Sequence, residues 1–377
     1  MNKRPKILYL VTEDWYFYSH RLPLARAAKQ DGFDVVIATQ VNHHGDAITA
    51  EGFRLIPISL RRRTMGPFRE LMAIWQLLRL YRAEKPSIVH QVGMKPVIYG
   101  SLAAHLAGVP AIVNALAGLG YVFTSKQRLA KVLRPLVKAA FRWLIATRRS
   151  RLIVQNPDDR QMLLNVTRIV EGDIVMIKSS GVDLERFRHR EETPGVPVVM
   201  LASRMLWDKG VGIFVEVARI LTKQGVRARF VLVGAPDAGN PTTVTPQQLM
   251  TWQEEAAVEW WGYREDMPSV LESAHIVCLP STYGEGVPKI LIEAAACGRP
   301  IVGTDIPGCR EVVQHGENGL LVPVNNVDAL IDALKRLIEN PALRKHMGTR
   351  GREIAMEEFS VEKVVRETLS VYRELLS

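Results

Sequence analysis

Two glutamates, Glu285 and Glu293, stand eight residues apart in Glu285-Gly286-Val287-Pro288-Lys289-Ile290-Leu291-Ile292-Glu293. The apolar run Ile276-Val277-Cys278-Leu279 precedes them, and Ala294-Ala295-Ala296-Cys297, halted by Gly298 and Pro300, follows. The pattern predicts a strand, a loop and a helix. Gly286 and the amides after it then reach a helix N-terminus, where unpaired N–H groups and the positive dipole end favour oxygen-rich or anionic ligands. At about 3.6 residues per turn the spacing is just over two turns, which predicts both carboxylates on one helix face. Such a pair can grip a molecule with several hydroxyls, although two glutamates that only meet water would be spaced no differently. A second group, Ser203-Arg204-Met205-Leu206-Trp207-Asp208-Lys209-Gly210, follows the apolar run Val198–Ala202. It places Arg204 and Lys209 on a loop and first helical turn, a planar fork and a point charge suited to a diphosphate.

Taken with Gly298-Arg299-Pro300-Ile301-Val302, Pro307-Gly308, Glu311-Val312-Val313 and Gly319-Leu320-Leu321-Val322-Pro323, the glutamate segment resembles the donor-site signature of retaining glycosyltransferases of family 4. The resemblance implies a GT-B fold. It also implies that Glu285, Gly286, Val287 and Pro288, with Lys289 beside them, hold a donor sugar, and that Glu293 binds ribose hydroxyls. Arg204 and Lys209 match the family's diphosphate pair. Gly262 and Tyr263, in Gly262-Tyr263-Arg264-Glu265-Asp266-Met267, match a loop near the nucleobase. Ser180-Gly181-Val182-Asp183 resembles a segment at the domain junction, where Asp183 suits a local turn as well as a site role.

Acceptor residues are sought in the first half. Tyr18-Ser19-His20-Arg21-Leu22-Pro23 resembles a subgroup that builds polysaccharides or glycans on lipid carriers. Ahead of it, Thr12-Glu13-Asp14-Trp15 replaces the glycine pair usual in the family. His20 reads either as a catalytic group, binding a diphosphate or positioning a hydroxyl, or as a packing residue. Arg21, Lys95, Gly118 and Gly120 complete the acceptor set. The implied reaction is retaining transfer from a nucleotide diphosphate sugar to a polyprenyl diphosphate-linked glycan, with Arg204, Lys209, Glu285 and His20 as the catalytic set. A UDP-hexose or UDP-N-acetylhexosamine is favoured as donor. GDP-mannose, a soluble acceptor, and a non-catalytic nucleotide-sugar-binding subunit at the membrane remain as alternatives. The histidines lack ligand-like grouping and the chain has no Asp-x-Asp pair, so neither a metal nor another cofactor is expected.

The elements that must position these residues alternate between short apolar strands and helices in both halves. This predicts an α/β protein with two facing, doubly wound, Rossmann-like domains. The boundaries are 1–187 for acceptor binding and 188–357 for donor binding, with a helix at about 358–377 packing back on the first and a linker over Arg186–Pro197. Ligands are expected beyond the strand C-termini, in the cleft between domains. A chain of 377 residues supports two cores, and three cysteines without metal-type spacing suggest a reducing compartment. With no signal peptide or long apolar span, a cytoplasmic protein at the inner membrane face is expected.

Charge is uneven: residues 1–190 hold 30 Lys/Arg against 14 Asp/Glu, a net of +16, within a whole-chain net of +10. Lys126 to Ile145 reads as a basic amphipathic helix, with Arg128, Lys131, Arg134, Lys138 and Arg142 on one face and Pro135 expected to kink it. Arg61-Arg62-Arg63 adds to the charge, and Phe141 and Trp143 suit an interfacial helix. An anionic membrane surface is the favoured partner, ahead of a merely solvated face. Nucleic acid is disfavoured because no aromatic stacking platform accompanies the charge.

Overall fold

The computed structural model describes residues 4–60, 66–118, 128–145, 149–166, 169–284 and 286–377, the side chains of 128–134, 136 and 166 excepted. Two compact units result: Met1–Ser180 with Glu362–Ser377, and Gly181–Val361.

The first unit is built on β1 (Lys6–Glu13), β2 (Asp34–Gln40), β3 (Arg54–Pro57), β4 (Ile88–Val92), β5 (Ala111–Ala115), β6 (Ser150–Val154) and β7 (Ile174–Met176). The second is built on β8 (Val198–Ala202), β9 (Arg229–Val233), β10 (Glu259–Trp260), β11 (Ile276–Leu279), β12 (Ile301–Thr304) and β13 (Gly319–Val322). The sheet orders are β3-β2-β1-β4-β5-β6-β7 and β10-β9-β8-β11-β12-β13. All their pairings are parallel. Strand order therefore reverses between β1 and β4 in one unit and between β8 and β11 in the other. In doubly wound sheets those reversals open the crevices where ligands bind.

The strands read as unbroken apolar runs because both sheet faces are covered. Ile7, Tyr9 and Val11 pack with the helices Leu22–Gln30 and Val361–Leu376, while Leu8 and Leu10 pack with Pro67–Glu84 and Ser101–Ala107. In the second unit Val199 and Leu201 enter one core, and Val198, Met200 and Ala202 the other. Successive side chains in a strand point to opposite faces, so each strand feeds two cores.

The change of unit falls at Ser180/Gly181, ahead of the Arg186–Pro197 linker read from composition. Val182 donates to Phe359 O at 2.8 Å and accepts from Val361 N at 3.0 Å, which draws this segment into the second unit. Gly181 holds φ +82, and a Cβ there would lie 2.6 Å from Val361 Cα. Asp183 Oδ1 accepts from Glu185 N and Arg186 N, both at 2.9 Å, and so forms the local turn.

Residues 362–377 return to the first sheet through a buried polar network. Tyr372 Oη lies 2.5 Å from His90 Nδ1 and donates to Tyr9 Oη at 3.2 Å, while the His90 and Tyr9 rings stack. Burial, and then the nearby charge of Arg21, hold His90 well below its ordinary value of 6.5. The native ring stays neutral where the unfolded ring takes a proton. Its contribution is therefore complete above pH 6.5 and is lost as pH falls below that value. Urea titrations should show unfolding free energy declining on the acid side of 6.5, by up to about 1.4 kcal/mol per pH unit from this residue. His90→Asn should flatten that segment of the curve; an unchanged slope would remove His90 as its source.

Candidate active site

In the second unit the strand C-termini carry the residues singled out for chemistry. Arg204 and Lys209 follow β8, and the Pro280–Pro288 segment follows β11, so the two loops flank the reversal of strand order. They are tied together. Thr282 N donates to Asp208 O at 2.9 Å, and Thr282 Oγ1 reaches the same carbonyl at 3.3 Å. Gly210, at φ +75, lets the chain pass so near Pro280 that a Cβ would sit 2.0 Å from its carbonyl oxygen. Only glycine satisfies both the left-handed conformation and the close approach. A third loop joins through Thr304 Oγ1, which donates to Ser281 O at 2.7 Å.

The loop after β9 closes over Arg204. Asp237 Oδ2 accepts from Arg204 Nη1 at 2.5 Å, Thr242 Oγ1 donates to Asp208 Oδ2 at 2.8 Å, and Trp207 N donates to Thr242 O at 2.7 Å. Lys209 ends the short helical turn Trp207–Lys209 and is half-buried. Gly262 O accepts from Gly234 N at 2.7 Å, which brings the loop after β10 alongside, with Tyr263 exposed. Asp237 carried no recognisable motif, yet it is the carboxylate that meets the Arg204 guanidinium.

Glu293 is buried on the helix Lys289–Ala296, and its carboxylate lies 3.6 Å from Lys289 Nζ. Burial raises its affinity for a proton, with Lys289 and Arg186 pulling the other way. Glu285 lies outside the described residues. The helix begins at Lys289 with Pro288 as its N-cap, so Gly286 and Val287 precede it in non-helical backbone. The expected order of strand, loop and helix is present, with Gly286 and Val287 leading into the helix N-terminus, while the expectation that Glu285 shares a helix face with Glu293 lies outside the described residues.

In the first unit the loops after β1 and β4 again flank the strand reversal. His20 ends the helix Asp14–His20, stacked on Tyr16 at 4.1 Å, with Nδ1 2.6 Å from Ser19 Oγ. Ser19 gives its hydroxyl proton to Trp15 O at 2.7 Å, which leaves its oxygen to accept from Nδ1. Arg21 is buried, close enough to act on Tyr9, His90 and Tyr372. Lys95 Nζ pairs with Glu70 Oε1 at 2.9 Å. Gly118 adopts φ +90, and Gly120 lies outside the described residues. Asp14, read only as part of a departure from the glycine pair, turns out to be architectural. Its Oδ2 accepts from the backbone N–H groups of Asn42, His43 and His44 at 2.7–2.9 Å. Burial alone would push this carboxyl up, but these bonds and one from Trp15 N hold it below its ordinary value.

Residues 196–340 match the family described as glycosyl transferases group 1, and residues 6–156 match the family described as glycosyl transferase 4-like. The chain belongs to the family 4 glycosyltransferases. Membership supports a hexosyltransferase enzyme. This glycosyltransferase is 27% identical over 353 residues to the N,N'-diacetylbacillosaminyl-diphospho-undecaprenol alpha-1,3-N-acetylgalactosaminyltransferase of Campylobacter jejuni, covering 90% of this chain and 91% of the relative. It is 26% identical over 330 residues to the UDP-Gal:alpha-D-GlcNAc-diphosphoundecaprenol alpha-1,3-galactosyltransferase of Escherichia coli, covering 83% and 82%. Its fold matches Anabaena HepE, solved in complex with UDP and glucose, at a TM-score of 0.79 and 18% identity, over 98% of this chain and 99% of that one. It also matches the sucrose-phosphate synthase of Thermosynechococcus elongatus at 0.80 and 21% identity, over 99% of each chain. The architecture is GT-B.

Among the described residues, the transferase has no helix long and apolar enough to cross a membrane. Its basic segment is helical over Arg128–Leu144 and continues through Pro135. The side chains of Arg128, Lys131 and Arg134 lie outside the described set, as do Arg61-Arg62-Arg63 altogether; Lys138 is half-buried and Arg142 exposed. Trp143 is exposed, but Phe141 is fully buried against Val97, Leu116 and Leu152. Phe141 therefore does not belong to an interfacial face, because its side of the helix closes the core.

Proposed function

We propose that this glycosyltransferase moves a sugar from a UDP-sugar to a glycan on a polyprenyl diphosphate carrier, with retention of anomeric configuration and without a metal ion. The observation that carries the donor assignment is the joining of the Arg204–Lys209 loop to the Pro280–Pro288 loop through Thr282 and Asp208 at the β8/β11 reversal. Arg204 and Lys209 receive the diphosphate, Glu293 the ribose hydroxyls, Glu285 and the chain through Lys289 the sugar, and the loop at Gly262 and Tyr263 the base. The bond from C1 of the sugar to the diphosphate oxygen breaks, and the acceptor hydroxyl attacks from the same face. Its proton passes to an oxygen of the leaving diphosphate, so no side-chain base is required. Negative charge grows on the diphosphate as the bond breaks. Fixed cations then stabilise the transition state more than the ground state, and they fill the part that Mg²⁺ takes in metal-dependent transferases.

The lipid-linked acceptor is supported by the two relatives, whose names specify undecaprenyl diphosphate glycans, and by His20, Lys95 and Gly118 at strand C-termini of the first unit. Arg21, Gly120 and the basic face at Arg128, Lys131, Arg134, Lys138 and Arg142 complete the reading of an enzyme working at the cytoplasmic face of a membrane. The test pairs a panel of UDP- and GDP-sugars with undecaprenyl diphosphate-linked acceptors, with and without EDTA, and reads product configuration by NMR. The expected result is transfer from an α-linked UDP-sugar to an α-linked product, undiminished by EDTA. A β-linked product would overturn retention, and loss in EDTA restored by Mn²⁺ would overturn metal independence. Transfer from GDP-mannose alone would overturn the donor.

A further inference from the structure

The helix Pro67–Glu84 of the first unit turns an apolar stripe outward. Phe68, Leu71, Met72 and Trp75 follow one another at the i, i+3, i+4, i+7 spacing of a single helix face, and they are 74%, 65%, 54% and 56% exposed. The inner side of the same helix already supplies the core with Ala73, Leu77 and Tyr81, so the outward stripe is surplus to folding. What surrounds it decides the partner. Arg69, Arg79 and Arg82 are exposed on this helix, and its two acids are not available: Glu70 pairs with Lys95 at 2.9 Å, and Glu84 is buried against Lys6 and Arg54. Arg79 lies 4.7 Å over the Trp75 ring, which keeps a cation at the edge of the stripe. A hollow of about 580 Å³ opens beside it, its lining including Met72, Trp75, Arg69 and Arg79 and the Glu70–Lys95 pair.

We infer that this face is the surface by which the protein lies on an anionic phospholipid bilayer, with the four apolar side chains entering the acyl boundary and the arginines meeting phosphates. An apolar stripe whose exposed charges on this helix are all cations suits a partner that is oily inside and negative at its rim. A second copy would oppose like charges. The inference extends the proposed activity on a lipid-linked acceptor. It locates membrane contact on Pro67–Glu84, a helix other than the basic Arg128–Leu144.

Flotation of the full chain tests this with vesicles of phosphatidylcholine alone and of equimolar phosphatidylcholine and phosphatidylglycerol. Wild type should bind the anionic vesicles and only weakly the neutral ones, with a blue shift in tryptophan emission that is smaller in Trp75→Phe. The fourfold variant Phe68→Ser, Leu71→Ser, Met72→Ser, Trp75→Ser should melt like wild type and lose more than about tenfold in vesicle affinity. Arg69→Glu with Arg79→Glu should lose the preference for anionic lipid. Both variants should keep wild-type transfer to a short, water-soluble acceptor. If wild type floats but shows no transfer with any donor, the docking face stands and the enzymatic reading falls. Undiminished flotation of the fourfold variant would overturn the inference. So would dimerisation of wild type that the same variant abolishes, or tighter binding to single-stranded RNA than to vesicles.

Discussion

Arg204→Ala should lower turnover by about 10²–10³-fold while leaving acceptor affinity close to wild type, because the lost donor acts on charge that develops as the diphosphate departs. Lys209→Ala should follow the same pattern. Asp237 pairs with the Arg204 guanidinium at 2.5 Å, and both side chains are partly exposed. A solvent-screened pair of this kind holds weakly, so a diphosphate with its greater charge should displace the carboxylate. Asp237→Ala should accordingly tighten UDP binding by a few-fold, the opposite sign from the effect at Arg204. Calorimetry with UDP and steady-state kinetics on the three variants separate these outcomes. Unaltered turnover in both Arg204→Ala and Lys209→Ala would remove the pair from the diphosphate. Weaker UDP binding in Asp237→Ala would show that the carboxylate supports the site rather than competing for it.

Glu293→Gln should do two opposite things. A hydrogen bond to a charged group contributes about 1.5–3 kcal/mol and one to a neutral group about 0.5–1.5 kcal/mol, so UDP affinity should fall roughly tenfold when the carboxylate becomes an amide. The unliganded variant should nevertheless be more stable than wild type at neutral pH. Burial raises the Glu293 carboxyl above its ordinary value of 4.5, against the pull of Lys289 and Arg186. The native state then binds a proton more readily than the unfolded chain. This side chain's contribution is most favourable below 4.5 and is lost as pH rises through the raised native value. Thermal melts of wild type and variant should thus lie close together on the acid side and diverge upward through that window, with Gln the more stable. Parallel curves at all pH would show that the carboxylate is no more costly to ionise in the fold than in water. Unchanged UDP affinity in a folded variant would take Glu293 out of the donor site. The combination would mark a residue kept for binding at the expense of stability.

The doubly wound class was legible because sheets buried on both faces leave apolar runs such as Val198–Ala202 and Ile276–Leu279, with nothing polar to obscure them. Three strands escaped. β3 begins with Arg54 and ends with Pro57 at a sheet edge, β7 is three residues long, and β13 was visible only as part of a motif. Each lies near an edge, where less burial means less apolar signal. At the candidate site, residue type and spacing singled out Arg204, Lys209 and Glu293, and the strand, loop and helix expected there are present, with Pro288, which reads equally well as the first helical residue, standing as the cap before it. Asp14 and Asp237 were missed for one reason. Each bonds to groups distant in sequence or on another loop, and a lone aspartate leaves no periodic trace. The outward stripe of Pro67–Glu84 was invisible for a different reason, since periodicity identifies apolar faces and cannot say which of two will be covered.

The second unit is continuous in sequence, whereas the first is interrupted at Ser180 and resumes at Glu362. Protein synthesis proceeds from one end, and units fold as they emerge. A nascent chain that has just released Val361 therefore carries every residue of the later unit, while the earlier one still lacks the helix bearing Val364, Leu369, Val371 and Tyr372. Until then Ile7, Tyr9 and Phe33 have only the helix Leu22–Gln30 for cover on that side, and His90 Nδ1 lacks the Tyr372 hydroxyl. The half of the molecule made first is the half that must wait, with one apolar sheet face only partly covered and exposed to chaperones and to other chains in the interval.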